Sequence, residues 1–318
     1  MRIENRTTSQ SATATQLLEA YSNKTSFFFA SPIQTLSAQG ISQVLPTSEG
    51  GSLDSNLSDR AMSFLKRNCI PGTPQAVMVG AIPFNNPTQV RLFIPQHVQR
   101  AERLYLLSKS ATETQSSSMP PPILRMLPEP DSYRQGVEQA LQNIQRTELQ
   151  KVVLSRSLEL VFAEAIPLPQ LLHELSFRNH HGYTFVVDLG KQESSEAESS
   201  ASWPPLQPCR FVGASPELLV RRTGLHVTTN PLAGSTPRSG DLAVDRQRAE
   251  VLLSSEKNRR EHAVVVEAVA ESLRPYCRKL DVPAVPSIIK TDTMIHLSSL
   301  IRGTLKDPDM NALSLALS

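Results

Sequence analysis

Two residues far apart in the chain have the side chains best suited to moving protons. Glu217 lies in FVGASPELLVRR (211–222), where Phe211–Ala214, then Ser-Pro, then the acid, then Leu218–Val220 follow one another. Pro216 pushes Ser215 into an extended conformation, so a kink between two strands is expected there. A carboxylate at an apolar bend is costly unless it is paired or unless holding a proton is its task. Two readings stand. Glu217 is either a turn carboxylate partnered by Arg221 or Arg222, or an acid kept protonated in a partly apolar pocket and able to donate to a leaving group. Lys151 heads KVVLSRSLEL. Strand alternation puts Val152, Leu154, Leu158 and Leu160 on one face, and Lys151, Val153, Ser155, Ser157 and Glu159 on the other. It is either a solvated lysine at a strand end or, facing a cavity near another cation, a general base of lowered pKa.

Three further segments carry polar groups in suggestive places. PLAGSTPRSG (231–240) is expected to be a turn ahead of a helix. Its amides at Gly234 and Ser235, with the hydroxyls of Ser235 and Thr236, could cradle an anion. It lacks the Gly-Lys-Ser/Thr ending of a P-loop. In SSEKNRREHAVVVEAVAESLR (254–274), Glu261 falls in line with Val265, Ala268 and Ser272 at helical spacing. That places it at the end of a buried face, where its partner is a salt bridge or a Mg2+ ion. Glu256 and Arg260 form an exposed i,i+4 pair. His296, in TMIHLSS, reads as a satisfied core histidine. HELSFRNHH (173–181) lacks the HExxH spacing of a metal site, and Trp203 stands alone in a polar stretch.

The elements that must position these groups follow from periodicity. SFFFASPIQTLSAQG (26–40) reads as strand, Ser-Pro turn, strand, and AVMVGAIPF (76–84) with VRLFIP (90–95) as two more around an Asn-Asn-Pro turn. Residues 109–130 are rich in Ser and Pro and read as a linker. It divides the chain into an N-terminal portion (1–125) and a catalytic core (126–318). YRQGVEQALQNIQR and PLPQLLHELSF are helical, YTFVVDL and RFVGAS are strands, and 191–208 is a polar surface loop between them. Helix dominates 241–276, and Pro283 and Pro286 punctuate the next connection. Strand pairs interspersed with helices give an α/β (α+β) layered sandwich.

Composition bounds the function classes. The 318 residues carry 32 basic and 30 acidic side chains, for a net charge of +2, with 39% hydrophobic and 19% charged residues. Such a balance offers no electrostatic case for nucleic acid or an anionic membrane. Cys69, Cys209 and Cys277 are too sparse and scattered for a disulfide framework or a zinc site. MRIENRTTSQSATATQ shows no apolar signal region, and no apolar run approaches the ~20 residues that span a bilayer. A cytoplasmic protein is expected.

In this order, KVVLSR, FVGASPELL, NPLAGST, SEKNRREH and MIHLSS resemble the successive core motifs of the chorismate-utilising enzymes, which have an anthranilate synthase-like fold of two β-sheets flanked by helices. SFFFASP and VMVGAIPF are similar to the isochorismate synthases of catecholate siderophore (enterobactin-type) pathways within that family. The resemblance runs from about residue 26 to the last residue. It implies an isomerase that converts chorismate to isochorismate on the way to 2,3-dihydroxybenzoate. It also implies Lys151 as the base that activates water, Glu217 as the acid that protonates the departing C4 hydroxyl, and Glu261 as a Mg2+ ligand. Gly234, Ser235 and His296 become substrate contacts, chorismate the partner, and a monomer is expected. A salicylate synthase, a menaquinone-type isochorismate synthase and an anthranilate-type subunit are the sister activities; an inactive fragment is the non-enzymatic alternative. The sequence ends at NALSLALS, ahead of the family's PTPAL segment and closing strands, with their further metal-binding glutamate and substrate-binding arginine. The resemblance therefore implies a truncated chain, poorly soluble and nearly inactive.

Overall fold

The structure is a computed structural model, and it describes residues 12–46, 56–69, 76–84, 90–106, 120–191 and 208–318. The Asn-Asn-Pro turn, Trp203, most of the 191–208 loop, residues 109–119 of the linker and the first eleven residues lie outside the described residues. Helix α1 (Ala14–Glu19) leads into β1 (Thr25–Ala30) and β2 (Gln34–Val44), and α2 (Leu57–Arg67) into β3 (Val79–Ala81) and β4 (Arg91–Glu102). Next come β5 (Ile123–Leu127), α3 (Pro130–Arg146), β6 (Ser157–Val161), α4 (Leu168–Arg178), β7 (Tyr183–Lys191) and β8 (Pro208–Ser215). The remainder runs β9 (Leu218–Thr223), β10 (His226–Asn230), β11 (Leu232–Pro237), α5 (Leu242–Ser254) and α6 (Glu256–Leu273). It closes with β12 (Cys277–Asp281), β13 (Ser287–Lys290), β14 (Met294–Ser298), β15 (Ile301–Leu305) and α7 (Ala312–Ala316).

The described strands form four sheets, and every pairing is antiparallel. A six-stranded sheet has the order β3-β4-β2-β1-β7-β8, a four-stranded one β12-β15-β10-β9, a three-stranded one β11-β14-β13, and β5 pairs with β6 alone. Each of the larger sheets buries an apolar face under helices, which is the layered α+β architecture expected. Leu17 and Leu18 of α1 and Leu172 of α4 pack on Phe28 and Val186 of the six-stranded sheet. Val266 and Leu273 of α6 pack on Val227, Ile301 and Leu305 of the four-stranded sheet. Leu252 of α5 covers Ile295 and Leu297 of β14. Those two side chains are fully buried, and each contributes about 1.5–3 kcal/mol to holding β14 in register.

Three expectations need correction. The segment 123–127, read as linker, is strand β5, because Ile123, Leu124, Met126 and Leu127 extend against β6. The strand expected from Lys151 begins only at Ser157. Its pairing stops at Leu127–Ser157, since Pro128 and the start of α3 at Pro130 remove the partner, and an unpaired extension gains no ladder hydrogen bonds. Lys151–Arg156 are irregular. The alternation does not bury its apolar face either, since Leu158 and Leu160 are exposed. Finally, 232–237 is strand β11 rather than a turn, paired with β14 through a register shift between Leu232 and Ser235.

Candidate active site

The bend around Pro216 forms as the sequence implies, with β8 ending at Ser215 and β9 starting at Leu218. It aims Glu217 at the first residue of β11, where the Leu232 amide donates to Glu217 Oε1 over 2.9 Å. The acid is exposed, as in the turn-carboxylate reading, rather than desolvated as in the pocket reading. Neither Arg221 nor Arg222 pairs with it; Arg222 donates to the Pro308 carbonyl instead. One carboxylate oxygen is therefore engaged as an acceptor, and the other has no partner among the described residues. Two cavities flank the bend. The larger, about 620 Å³, is lined by Pro216 and Leu218 but not by Glu217. The other, about 550 Å³, takes Glu217 together with Val265 and Ala268 of α6.

Two residues further along β11, Gly234 occupies the bulge at φ +84°. This left-handed conformation is one that glycine adopts without strain. A side chain there would also press within 3.2 Å of Asn258 Cβ and Leu297 Cδ1. The bulge turns Ser235 to meet His296, with Ser235 Oγ 2.7 Å from His296 Nδ1. Alternation along β14 explains the geometry: Ile295 and Leu297 point into the core, so His296 faces the other way. Burial lowers the His296 pKa, partly offset by the negative charge of Glu217 close by. His296 is thus half-buried and polar-partnered, not the core histidine that its flanking residues suggest.

The third group, which meets β11 from helix α6, escaped the sequence reading. His262 is buried on α6, Nδ1 lying 3.1 Å from the Ala233 carbonyl and Nε2 2.8 Å from Ser299 Oγ. Burial pushes its pKa down, the Ala233 bond opposes this, and the Lys151 charge lowers it further. Lys151, whose charge acts on His262, lies half-buried on the irregular segment before β6 rather than on a strand. The buried row of α6 is His262, Val266, Ala270 and Leu273. Glu261 is one position round the helix from it, on the flank, with its side chain 40% exposed and 3.3 Å from Lys257. The Glu256–Arg260 pair is present at 3.4 Å and exposed, as expected.

Whether Glu261 suits a metal is a question of donor chemistry. Among the described residues no three His, Cys, Asp or Glu side chains cluster as a metal cage. Mg2+ does not need one, being commonly held by one or two carboxylates plus substrate and water oxygens. An exposed i,i+4 pair such as Lys257–Glu261 is worth only about 0.3–0.5 kcal/mol, too little to keep Glu261 from a divalent cation. The half-open carboxylate fits a single-ligand role.

Two imidazoles held neutral give the fold a pH dependence. His262 and His296 both sit below the ordinary value of 6.5, with Lys151 and Glu217 as the charged groups that act on them. The unfolded chain takes up their protons first, so stability is full above about pH 6.5 and falls as the pH drops toward the folded values. The melting temperature is expected to be lower at pH 5.5 than at 7.5; an unchanged one would contradict this assignment.

Glu217, His262 and His296, from three separate stretches of chain, thus gather around residues 232–235, with the charge of Lys151 acting on His262. The chain belongs to the chorismate-binding enzymes: the profile of that family, described as chorismate binding enzyme, matches residues 75–317. Among its relatives is the isochorismate synthase DhbC of Bacillus subtilis, 43% identical over 290 residues, 91% of this chain and 70% of the relative. The vibriobactin-specific isochorismate synthase of Vibrio cholerae is 34% identical over 306 residues, 94% of this chain and 70% of that one. The crystal structure of DhbC from Bacillus anthracis, a 2,3-dihydroxybenzoate-specific isochorismate synthase, superposes with a TM-score of 0.82 at 39% identity. It covers 96% of this chain and 74% of that one. This chain therefore spans about 70% of the length of the relatives it matches. No helix among the described residues is long and apolar enough to cross a membrane.

Proposed function

We propose that this chain is an isochorismate synthase that converts chorismate to isochorismate for 2,3-dihydroxybenzoate and catecholate siderophore synthesis. The cytoplasmic, monomeric setting expected from the sequence belongs to the same proposal. The observation that carries it is the convergence of a singly engaged carboxyl group and two histidines on residues 232–235, in a chain whose relatives bear that name. Lys151 takes a proton from the water that adds at C2 of the ring, and both ring double bonds shift, C1=C2 to C1=C6 and C5=C6 to C4=C5. Glu217 delivers its proton to the hydroxyl leaving C4. One water is taken up and one released, so the net change is an isomerisation. Lysine and glutamate reset by exchanging one proton through solvent. The Leu232 amide fixes one oxygen of Glu217, which leaves the other to carry the proton. Ser235 and His296 bind and orient the substrate, and Gly234 lets the backbone approach it.

Chorismate-binding enzymes are generally Mg2+-dependent, and Glu261 is the residue here that would hold the ion. Mg2+ bound there would neutralise and anchor the ring carboxylate of chorismate. Because substrate oxygens would complete the coordination, ion and substrate should bind cooperatively. Chorismate affinity measured by calorimetry is expected to rise at least ~10-fold on adding Mg2+, and Glu261→Gln to lose most of that gain. An affinity indifferent to Mg2+ would remove Glu261 from the site.

A further inference from the structure

We propose that His262 is a positioning residue, one that aims the Gly234 amide toward the substrate by holding the preceding carbonyl. The argument starts from donor and acceptor identity. A carbonyl oxygen only accepts, so His262 Nδ1 carries the hydrogen that reaches Ala233 O at 3.1 Å. Nε2 is then free to accept from the Ser299 hydroxyl at 2.8 Å. Both ring nitrogens are used, the side chain is 3% exposed, and the imidazole is locked in one tautomer.

The Ala233–Gly234 peptide is trans, the sole cis bond among the described residues being at Leu127–Pro128. In a trans peptide the carbonyl and the following N–H point in opposite directions. Holding Ala233 O against α6 therefore directs the Gly234 N–H away from α6. Gly234 has no partner in the register between β11 and β14, where pairing passes from Leu232–Ser298 to Ser235–His296. The amide of a residue outside the ladder register, at a bulge beside Ser235 and His296, suits a carboxylate or hydroxyl of a bound ligand. His262 touches no reacting atom, so its effect falls on binding. That consequence rests on the isochorismate synthase reading; the orientation of the amide does not.

The test compares two amide replacements. His262→Asn keeps a donor at the position of Nδ1 and loses the reach to Ser299, whereas His262→Gln reaches Ser299 and loses the donor to Ala233. The Gly234 amide resonance of the unliganded protein is expected to move in the Gln variant and to stay in the Asn variant. The KM for chorismate should rise roughly tenfold in the Gln variant, the worth of about one hydrogen bond, with kcat within about twofold. The Asn variant should retain a near-normal KM even though both variants lower the melting temperature. If both variants move Gly234 alike, or neither does, His262 is a core histidine and the inference is overturned. Should the Gln variant not fold, a folded Asn variant with a tenfold higher KM overturns it, and a normal KM supports it. If the unaltered protein has no affinity for chorismate while Gly234 responds to Gln alone, the proposed function fails and the role of His262 stands.

Discussion

Replacing Lys151 with alanine is expected to lower turnover of the active enzyme at least ~100-fold, the usual scale for a positioned acid or base, while leaving the fold intact. Both halves follow from where the residue sits. Lys151 lies on the irregular run between α3 and β6, which carries no ladder hydrogen bonds, so its removal takes away little stability. It is half-buried and close enough to His262 to lower that histidine's pKa. Turnover and melting temperature, measured on the same preparation, separate the two effects. Near-normal turnover would return Lys151 to the solvated strand-end lysine that the sequence alone also allows.

Glu217→Gln is expected to cost at least ~100-fold in kcat with hardly any loss of stability. The amide oxygen of glutamine can still accept the Leu232 N–H, so the bend at Pro216 keeps its anchor. What disappears is the proton that the leaving hydroxyl needs. Glu217→Ala should match that catalytic loss and add a stability cost of about 0.5–1.5 kcal/mol for the lost hydrogen bond. A Gln variant with full turnover would leave Glu217 as a structural acceptor for Leu232.

Much of this arrangement is legible in the residues. Apolar spacing marks β1, β2, β7, β8, α3 and α6, and Pro216 marks the bend that aims Glu217. Three features are hidden because they depend on neighbours that periodicity does not see. Lys151–Arg156 alternate like a strand, but the chain at Pro128 turns away and offers them no partner. The small residues and prolines of 231–237 look like a turn, yet β14 pairs with them and Gly234 absorbs the mismatch as a bulge. On α6 two rows of similar apolar content run side by side, Glu261–Val265–Ala268 and His262–Val266–Ala270. The sheet buries the second. One step of phase moved Glu261 to the flank and concealed His262, although its spacing to Val266 and Ala270 was the available signal.

Product identity is the most direct test of the central claim. The protein is incubated with chorismate and Mg2+, with and without ammonium, both as the 318-residue chain and extended by a PTPAL-containing tail. Products are then separated and identified by NMR. The account predicts isochorismate as the main product, no pyruvate, and no stimulation by ammonium, because water is the nucleophile and the enolpyruvyl group stays in place. Salicylate with pyruvate, or anthranilate in the presence of ammonium, would contradict it, as would an extended chain that leaves chorismate unchanged.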